Sequence, residues 1–577
     1  MKRAAIDDDQ GEPVIVSKNR WGLMALTLLQ APLAASPQEP TAVRAAEPPA
    51  AAQPTPAAAA TPDKQAPRER LFPILEYQVD GSSLLPAIEV ERAVTPFLGV
   101  GKSIKDVEAA RKALEDAYHT RGYQTVLVNI PPQDVGNGIV RLAVVEAPVG
   151  QLAIKGSRYH SLDVIRAKVP DLLPGSTPDF KEVQKELADL NHTQDLHVTP
   201  VLRASTTPGE VDVDLDVQDS LPLHAMLEVN NRYSPNTAHI RTTGEVSYDN
   251  LFQSNQSVSI QYQTAPEHPE NAKIWSISYV IPTEMGPIFA LYAVSSDSNI
   301  AAVGSLNIIG NGNIYGLRVI EPLFSPSASF YHSFTGGFDF KDFKQDVRLQ
   351  GSDDLASPAR YAPFSLDYSA TWLGTADPKH ANTAISGGRS STNFELGASF
   401  LIRFIGGTDA TQFAIKRSGA DPSYIILHPS LSRQQWLPGN WSLYGKVAAQ
   451  IASGPLISNE QFGVGGADSV RGYAESERLG DNGLQGAVEL RTPQLLRGLS
   501  SRITESYIYL FGDAAHVRIL EPLPAQVSGY HLGSEGIGTR FKDGNLTIDL
   551  DGARADTVGY VTRKGDLSVQ FRANYAW

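Results

Sequence analysis

The sequence predicts a membrane-spanning antiparallel β-barrel of about sixteen strands, preceded by two small α+β units. Three observations carry that reading. From Leu221 to Trp577, apolar and polar residues alternate with period two in segments of about ten residues. Before that, residues 71–220 twice repeat the order strand, helices, strand, strand. No segment reaches the roughly 18 consecutive apolar residues of a transmembrane helix, so strands must do any crossing.

Residues 1–36 have the layout of a secretory signal peptide. Lys18 and Arg20 precede an apolar stretch from Trp21 to Leu33, and Leu33-Ala34-Ala35 supplies small residues for cleavage. A short buried helix is the alternative. Residues 37–70 are rich in proline and alanine. Proline every few residues prevents continuous helix or sheet, which makes this a semi-extended spacer.

In the first unit (71–147), "FPILEYQVDG" reads as a strand. Ser103 with Asp106 three residues on is a capping-box pattern, and Gly122 is a stop, which frames a helix. Ile104, Val107, Ala110, Leu114 and Tyr118 fall on one face of it. "YQTVLVNI" and "GIVRLAVVEA" read as strands. The second unit (148–220) repeats the pattern: "VGQLAIKG" as a strand, Ser161 to Val169 as a short helix, and a longer helix opened by Thr177 and Pro178. The longer helix carries Phe180, Val183, Leu187 and Leu190 on one face. "LHVTPVLRA" and "EVDVDLDVQD" close the unit.

Residues 221–577 then change period. Leu223, Ala225, Leu227 and Val229 share one face, as do Val258, Ile260 and Tyr262, and Phe364, Leu366, Tyr368, Ala370 and Trp372. The last segment places Leu567, Val569, Phe571, Ala573, Tyr575 and Trp577 opposite Ser568, Gln570, Arg572 and Asn574. A soluble sandwich also alternates. Its strands are usually five or six residues long, and it has no need of aromatic strand ends. A barrel of this size leaves a polar lumen too wide for wall side chains to fill, so it is either open or occupied by a loop.

Composition removes other classes. A net charge of -14 argues against nucleic acid, which requires a basic footprint. Zero cysteines exclude disulfides and thiolate chemistry. The twelve histidines show no HExxH spacing, no GxSxG elbow occurs, and the glycine-rich "GNGNIYG" and "GVGGADS" lack a strand–glycine–helix context. Asp212, Asp214 and Asp216 share one strand face and read as a solvated surface rather than a metal site. No enzyme, cofactor or metal is expected.

The stretch "FGVGGADSVRGYAESERLGDNG" sits among these strands with glycines on either side of Arg471. A charge on such a loop can enter a lumen only if it meets an opposite charge there. The stretch resembles the Val-Arg-Gly-Tyr loop of the BamA/TpsB superfamily, with Val470, Arg471, Gly472 and Tyr473 in its four positions. "YLFGDAAHV" resembles that superfamily's Phe-x-Asp-x-Gly strand: Phe511 and Asp513 match, and Ala515 stands where the family has glycine. The two α+β units, with Pro131-Pro132-Gln133, resemble POTRA domains.

Two such units point to the TpsB branch, the two-partner secretion transporters (the ShlB/FhaC/HecB-like family). The resemblance implies a barrel in the outer membrane of a Gram-negative bacterium, with the POTRA domains in the periplasm. It implies export of a secreted partner exoprotein, large and β-helical, docked by strand addition at Gln124 to Ile130 or His197 to Arg203. It further implies a lock between Arg471 and Asp513, and a C-terminal signal of Phe571, Tyr575 and Trp577 for the barrel-assembly machinery. A purely pairwise lock would be restored by reversing both charges. The rival readings are a barrel-assembly insertase of the BamA/TamA type and an adhesive barrel.

Overall fold

The computed structural model describes residues 70–577 apart from short loop stretches, of which 348–354 and 376–388 are the longest. The expected signal segment, and the spacer up to residue 69, lie outside the described residues. What is described divides into a unit ending at Leu221 and a unit beginning at Pro222.

Within the first of these, the Ser103 capping box forms: the Ser103 amide donates to Asp106 Oδ2 at 2.8 Å and a helix runs Ile104–Arg121. Val107, Ala110, Leu114 and Tyr118 are buried. Ile104, the first residue of the helix, is exposed. The expected strand 72–81 is two strands, Phe72–Ile74 and Glu76–Asp80, that break at Leu75 and enter different sheets. A second helix, Ala87–Val94, was not apparent in the sequence, where Pro86 and an exposed Ile88 obscure its face. Glu76–Asp80 lies parallel to Ile139–Val145, which pairs on its other side with Leu127–Asn129.

The next 70 or so residues repeat this arrangement. Val149–Lys155 lies parallel to Val211–Asp219, which pairs antiparallel with Leu196–Ala204. Helices Leu162–Ala167 and Phe180–Leu190 bury Ile165, Val183 and Leu190 against that sheet. One device occurs in both copies. Glu146, just past the last strand of the first copy, accepts the Ser83 and Leu84 amides at 2.7 and 2.9 Å. Asp219, ending the last strand of the second, accepts the Arg158, Tyr159 and His160 amides at 2.6, 2.5 and 3.0 Å. Each carboxylate fastens the loop that follows its unit's first parallel strand.

Of the three aspartates of "EVDVDLDVQD", Asp216 is exposed and Asp212 half-buried, as a solvated face requires, but Asp214 departs from it. Asp214 is buried, and it pairs with Lys155 Nζ at 2.5 Å and with Arg203. Flanking cations make its burial tolerable.

From Leu223 the chain closes a sixteen-stranded antiparallel barrel, counting Ala359–Tyr361 and Pro363–Leu373 as one strand interrupted at Ala362. Strands run from eight residues (Leu223–Asn230) to sixteen (Ile503–Arg518). Period two sorts the side chains. Leu227, Ile260, Leu291, Val447, Leu510 and Leu550 project outward as an exposed apolar belt, while Thr243, Thr335, Asp339, Glu489, Asp513 and Asp549 are buried inside. Closure is required, because an unpaired edge in hydrocarbon leaves backbone groups unsatisfied. Among the described residues no helix is long and apolar enough to cross a membrane. At the rim where the chain enters, the turns 252–255 and 544–545 are short. The opposite rim carries the long connections 402–424 and 453–481.

Candidate functional site

The connection 453–481 turns back into the barrel. Its two arms pair as the short strands Phe462–Val464 and Arg478–Gly480, and the "VRGY" tip lies between them. On Ile503–Arg518 the odd-numbered residues from Tyr507 to Val517 face inward and are buried, so Asp513 meets the tip from the wall.

Arg471 is buried. Its Nε and Nη2 donate to the two Asp513 oxygens at 2.8 Å each, and its own amide donates to Asp513 Oδ2 at 3.0 Å. Its Nη1 donates to Glu489 Oε1 at 2.7 Å and lies 3.8 Å from Asp551 Oδ1. The guanidinium carbon stands 3.6 Å from the centre of the Phe511 ring. A planar fork suits this setting, with paired donors toward one carboxylate, a third toward another and a flat face on an aromatic ring. Arg491 supplies Glu489 with a second cation at 2.6 Å, and Tyr509 donates to Asp551 at 2.6 Å. The site is therefore a network: Arg471 is shared among three inward carboxylates from three strands, not held by Asp513 alone.

The rest of the tip is seated as closely. Val470 is buried with Val464, Tyr473, Ala515, Val517 and Leu532. The methyl of Ala515, where the related motif has glycine, does not hold the loop away; it packs in this cluster while the Arg471 amide still reaches Asp513. Gly472 has φ 96°, and a Cβ there would lie 3.0 Å from Ala553 Cβ. Tyr473 Oη bonds the Gly533 and Thr557 carbonyls at 2.9 Å.

The root of the hairpin is held separately. Asp481 is fully buried and accepts from Arg417 Nη2 at 2.7 Å, from the Leu456 amide at 2.9 Å and from the Leu520 amide at 2.6 Å. Arg417 follows a helix, Ala410–Lys416, in the neighbouring connection 402–424. Phe413 of that helix packs edge-on against Tyr361 of the wall. Lys341 and Tyr361 both reach Glu460 on the hairpin, at 2.7 and 2.5 Å.

A barrel whose own hairpin enters the lumen and pairs with its wall can be set against known proteins. The family model for "Haemolysin secretion/activation protein ShlB/FhaC/HecB" matches residues 209–332 and 362–540, and that for "POTRA domain, ShlB-type" matches 72–147. The chain belongs to this family. Among relatives of this ShlB/FhaC/HecB member, the outer membrane transporter CdiB of Escherichia coli O6:K15:H31 is 20% identical over 71% of this chain and 67% of its own. The heme/hemopexin transporter protein HuxB of Haemophilus influenzae 86-028NP is 19% identical over 85% of each. In solved structures the fold matches CdiB from Escherichia coli (TM-score 0.55, 17% identity, 90% of this chain and 93% of that one). It also matches BamA from Haemophilus ducreyi lacking POTRA domains 1–3 (TM-score 0.54, 12% identity, 88% and 100%).

This ShlB/FhaC/HecB protein is thus an outer-membrane transporter, not an enzyme, with its POTRA region in the periplasm. Because the barrel chain begins at the end of that region, the connections 402–424 and 453–481 face the cell exterior. Sequence reasoning named Arg471, Asp513 and Phe511 but missed Glu489 and Asp551. Both sit at inward positions of alternating strands, where a charged residue among small and polar neighbours is the only signal. The Ala410–Lys416 helix was also missed, though a signal for it existed: Asp409 caps it, its side chain accepting the Thr411 amide at 2.8 Å, and Lys416 closes it. Of the C-terminal aromatics, Tyr575 and Trp577 are exposed on the outer face with rings 5.8 Å apart, and Phe571 is partly covered.

Proposed function

We propose that this transporter exports an unfolded secreted partner, a large β-helical exoprotein, through its own lumen, and that the "VRGY" hairpin is the gate. The observation that carries the gate is Arg471 seated among Asp513, Glu489 and Asp551. A buried cation so paired is stable only where those carboxylates converge, so the loop has one well-defined seat inside the pore and loses its partners on leaving it. Docking of the partner is by strand addition. Leu127–Asn129 and Leu196–Ala204 are each bonded on one side only within their three-stranded sheets. The longer of the two carries exposed Val201 and Leu202, which favours it as the edge. Folding of the cargo outside the cell supplies the drive, since the periplasm holds no ATP. During biogenesis Phe571, Tyr575 and Trp577 form the signal read by the barrel-assembly machinery, and the outward apolar belt contacts outer-membrane lipid.

The test is deletion of the gene followed by a census of culture medium and outer membrane. Export predicts loss of one large protein from the medium with porins unchanged. General depletion of porins would instead assign the chain to the insertase class, and an unchanged medium would remove the export reading.

A further inference from the structure

The seam that closes the barrel is its shortest ladder. Leu223–Asn230 and Leu567–Ala576 share five register pairs, from Asn230↔Arg572 to Met226↔Ala576, whereas every other adjacent pair of wall strands shares at least eight. Beyond those five, Ala225 and Trp577 exchange two backbone bonds at 3.0 and 2.9 Å at one end. At the other, the Asn231 amide donates to the Phe571 carbonyl at 3.3 Å and its side chain continues the ladder. Asn231 Oδ1 accepts the Phe571 amide at 2.7 Å, and Asn231 Nδ2 donates to the Val569 carbonyl at 2.7 Å.

The hairpin tip is bonded to both sides of this seam. On the last strand, Gln570 Nε2 donates to the Tyr473 carbonyl at 3.0 Å and its Oε1 accepts the Gly472 amide at 3.3 Å. On the first strand's side, directly after Asn231, Arg232 Nε donates to Glu475 Oε1 at 3.0 Å and Arg232 also pairs with Asp468. The Glu475 amide donates to the Tyr233 carbonyl at 2.9 Å. Residues from Asp468 to Glu475 therefore span from one seam strand to the other on the luminal side, where the inter-strand ladder is thinnest.

We propose that the hairpin is a staple across the closure seam, and that Arg232 and Gln570 are positioning residues that couple the seat of the loop to pairing of the first and last strands. This rests on the reading of the hairpin as a gate. If the seated loop favours a paired seam, a paired seam must favour the seated loop by the same free energy. Withdrawal of the loop removes the bonds from Gln570 and Arg232 together, leaving the bonds of Asn231 to hold the exterior end beyond the last register pair. The barrel is thus loosest there when the pore is open.

The chain has no cysteine, so a single disulfide can report the coupling. Glu228 and Asn574 are opposite each other in mid-seam. Full-length Glu228→Cys/Asn574→Cys in planar bilayers, recorded oxidised and then reduced, should open roughly tenfold less often when oxidised, within the ordinary range of coupling energies. Adding Arg232→Ala and Gln570→Ala should bring that ratio close to one. Gln570→Ala alone, in case the triple change prevents assembly, should at least halve it. A ratio of one in the parent pair, or a ratio untouched by loss of Gln570, overturns the staple. The gate is judged separately in the same recordings: Arg471→Ala must open more often than the parent, and if it does not, the gate fails whatever the seam does.

Discussion

Arg471 and Asp513 share three hydrogen bonds, two from the guanidinium at 2.8 Å and one from the Arg471 backbone amide at 3.0 Å. The backbone bond survives any change of the Arg471 side chain, and the Nη1 bond to Glu489 survives any change of Asp513. The two residues are therefore not equivalent. Arg471→Ala leaves Asp513 without its cation and takes one of two cations from Glu489, and is expected to loosen the seat by about 3–5 kcal/mol, the usual cost of breaking a buried pair. Asp513→Asn keeps the shape and leaves Glu489, so its effect should be smaller. Double reversal, Arg471→Asp with Asp513→Arg, should not restore the parent, because the new carboxylate would face Glu489 and Asp551. Single-channel open probability orders the variants. Recovery of parental behaviour in the double reversal would show that Glu489 and Asp551 contribute nothing.

Gly472 and Ala515 act through shape. Gly472→Ala places a side chain at φ 96° and against Ala553 Cβ, a conformation that costs L residues about 1–2 kcal/mol before any clash. The loop should seat less often and secretion should become leaky. Ala515→Gly removes one methyl from the Val470–Tyr473 cluster, worth about 0.8 kcal/mol. The expected shift in open probability is under fivefold and in the same direction. A tighter seat in Ala515→Gly would mean that the methyl holds the loop off the wall after all.

The barrel was legible because lipid and lumen impose opposite demands on alternate residues, and the eye finds period two in Leu223–Asn230 as readily as in Leu567–Ala576. The hairpin lock was legible only in part. Arg471 and Asp513 are set by a short motif, but Glu489 and Asp551 become partners through strand register, which a one-residue slip would reverse. Asp214 misled in the same way: nothing local tells that Lys155 and Arg203 close over it from two other strands.

The root clamp should be separable from the tip. Arg417→Met leaves Asp481 buried with the Leu456 and Leu520 amides and the Gln461 side-chain amide but no cation, and should release the 402–424 connection from the hairpin. Protease added outside intact cells should then cut near Ala410–Lys416 at least several-fold faster. Adding Asp481→Asn removes the stranded charge, so the double variant should be less destabilised than the sum of the two singles. Strict additivity would deny that these two residues interact.

The second periplasmic copy holds two carboxyls with opposite pH signatures. Burial works against ionisation of Asp219, but the Tyr159 amide, the His160 ring and the Arg158 and His160 amides outweigh it and lower its pKa to about 2. Its stabilisation is fully present above the unfolded value of about 4 and is lost as pH falls toward 2, an effect on the order of 2 kcal/mol. Glu186 is the reverse. Burial, with Oε2 unpartnered, raises its pKa to about 7. The folded form then binds a proton that the unfolded form has lost, so stability falls as pH rises from about 4.5 to 7. Glu186→Gln should therefore raise protection of Val211–Asp219 in hydrogen exchange at pH 8, corrected for intrinsic rate, and change little at pH 4.5. Asp219→Asn should lower it at pH 7 and converge with the parent near pH 2. A Glu186→Gln gain equal at both pH values would mean that the carboxyl is charged, or neutral, throughout and that its burial does not set the proton affinity.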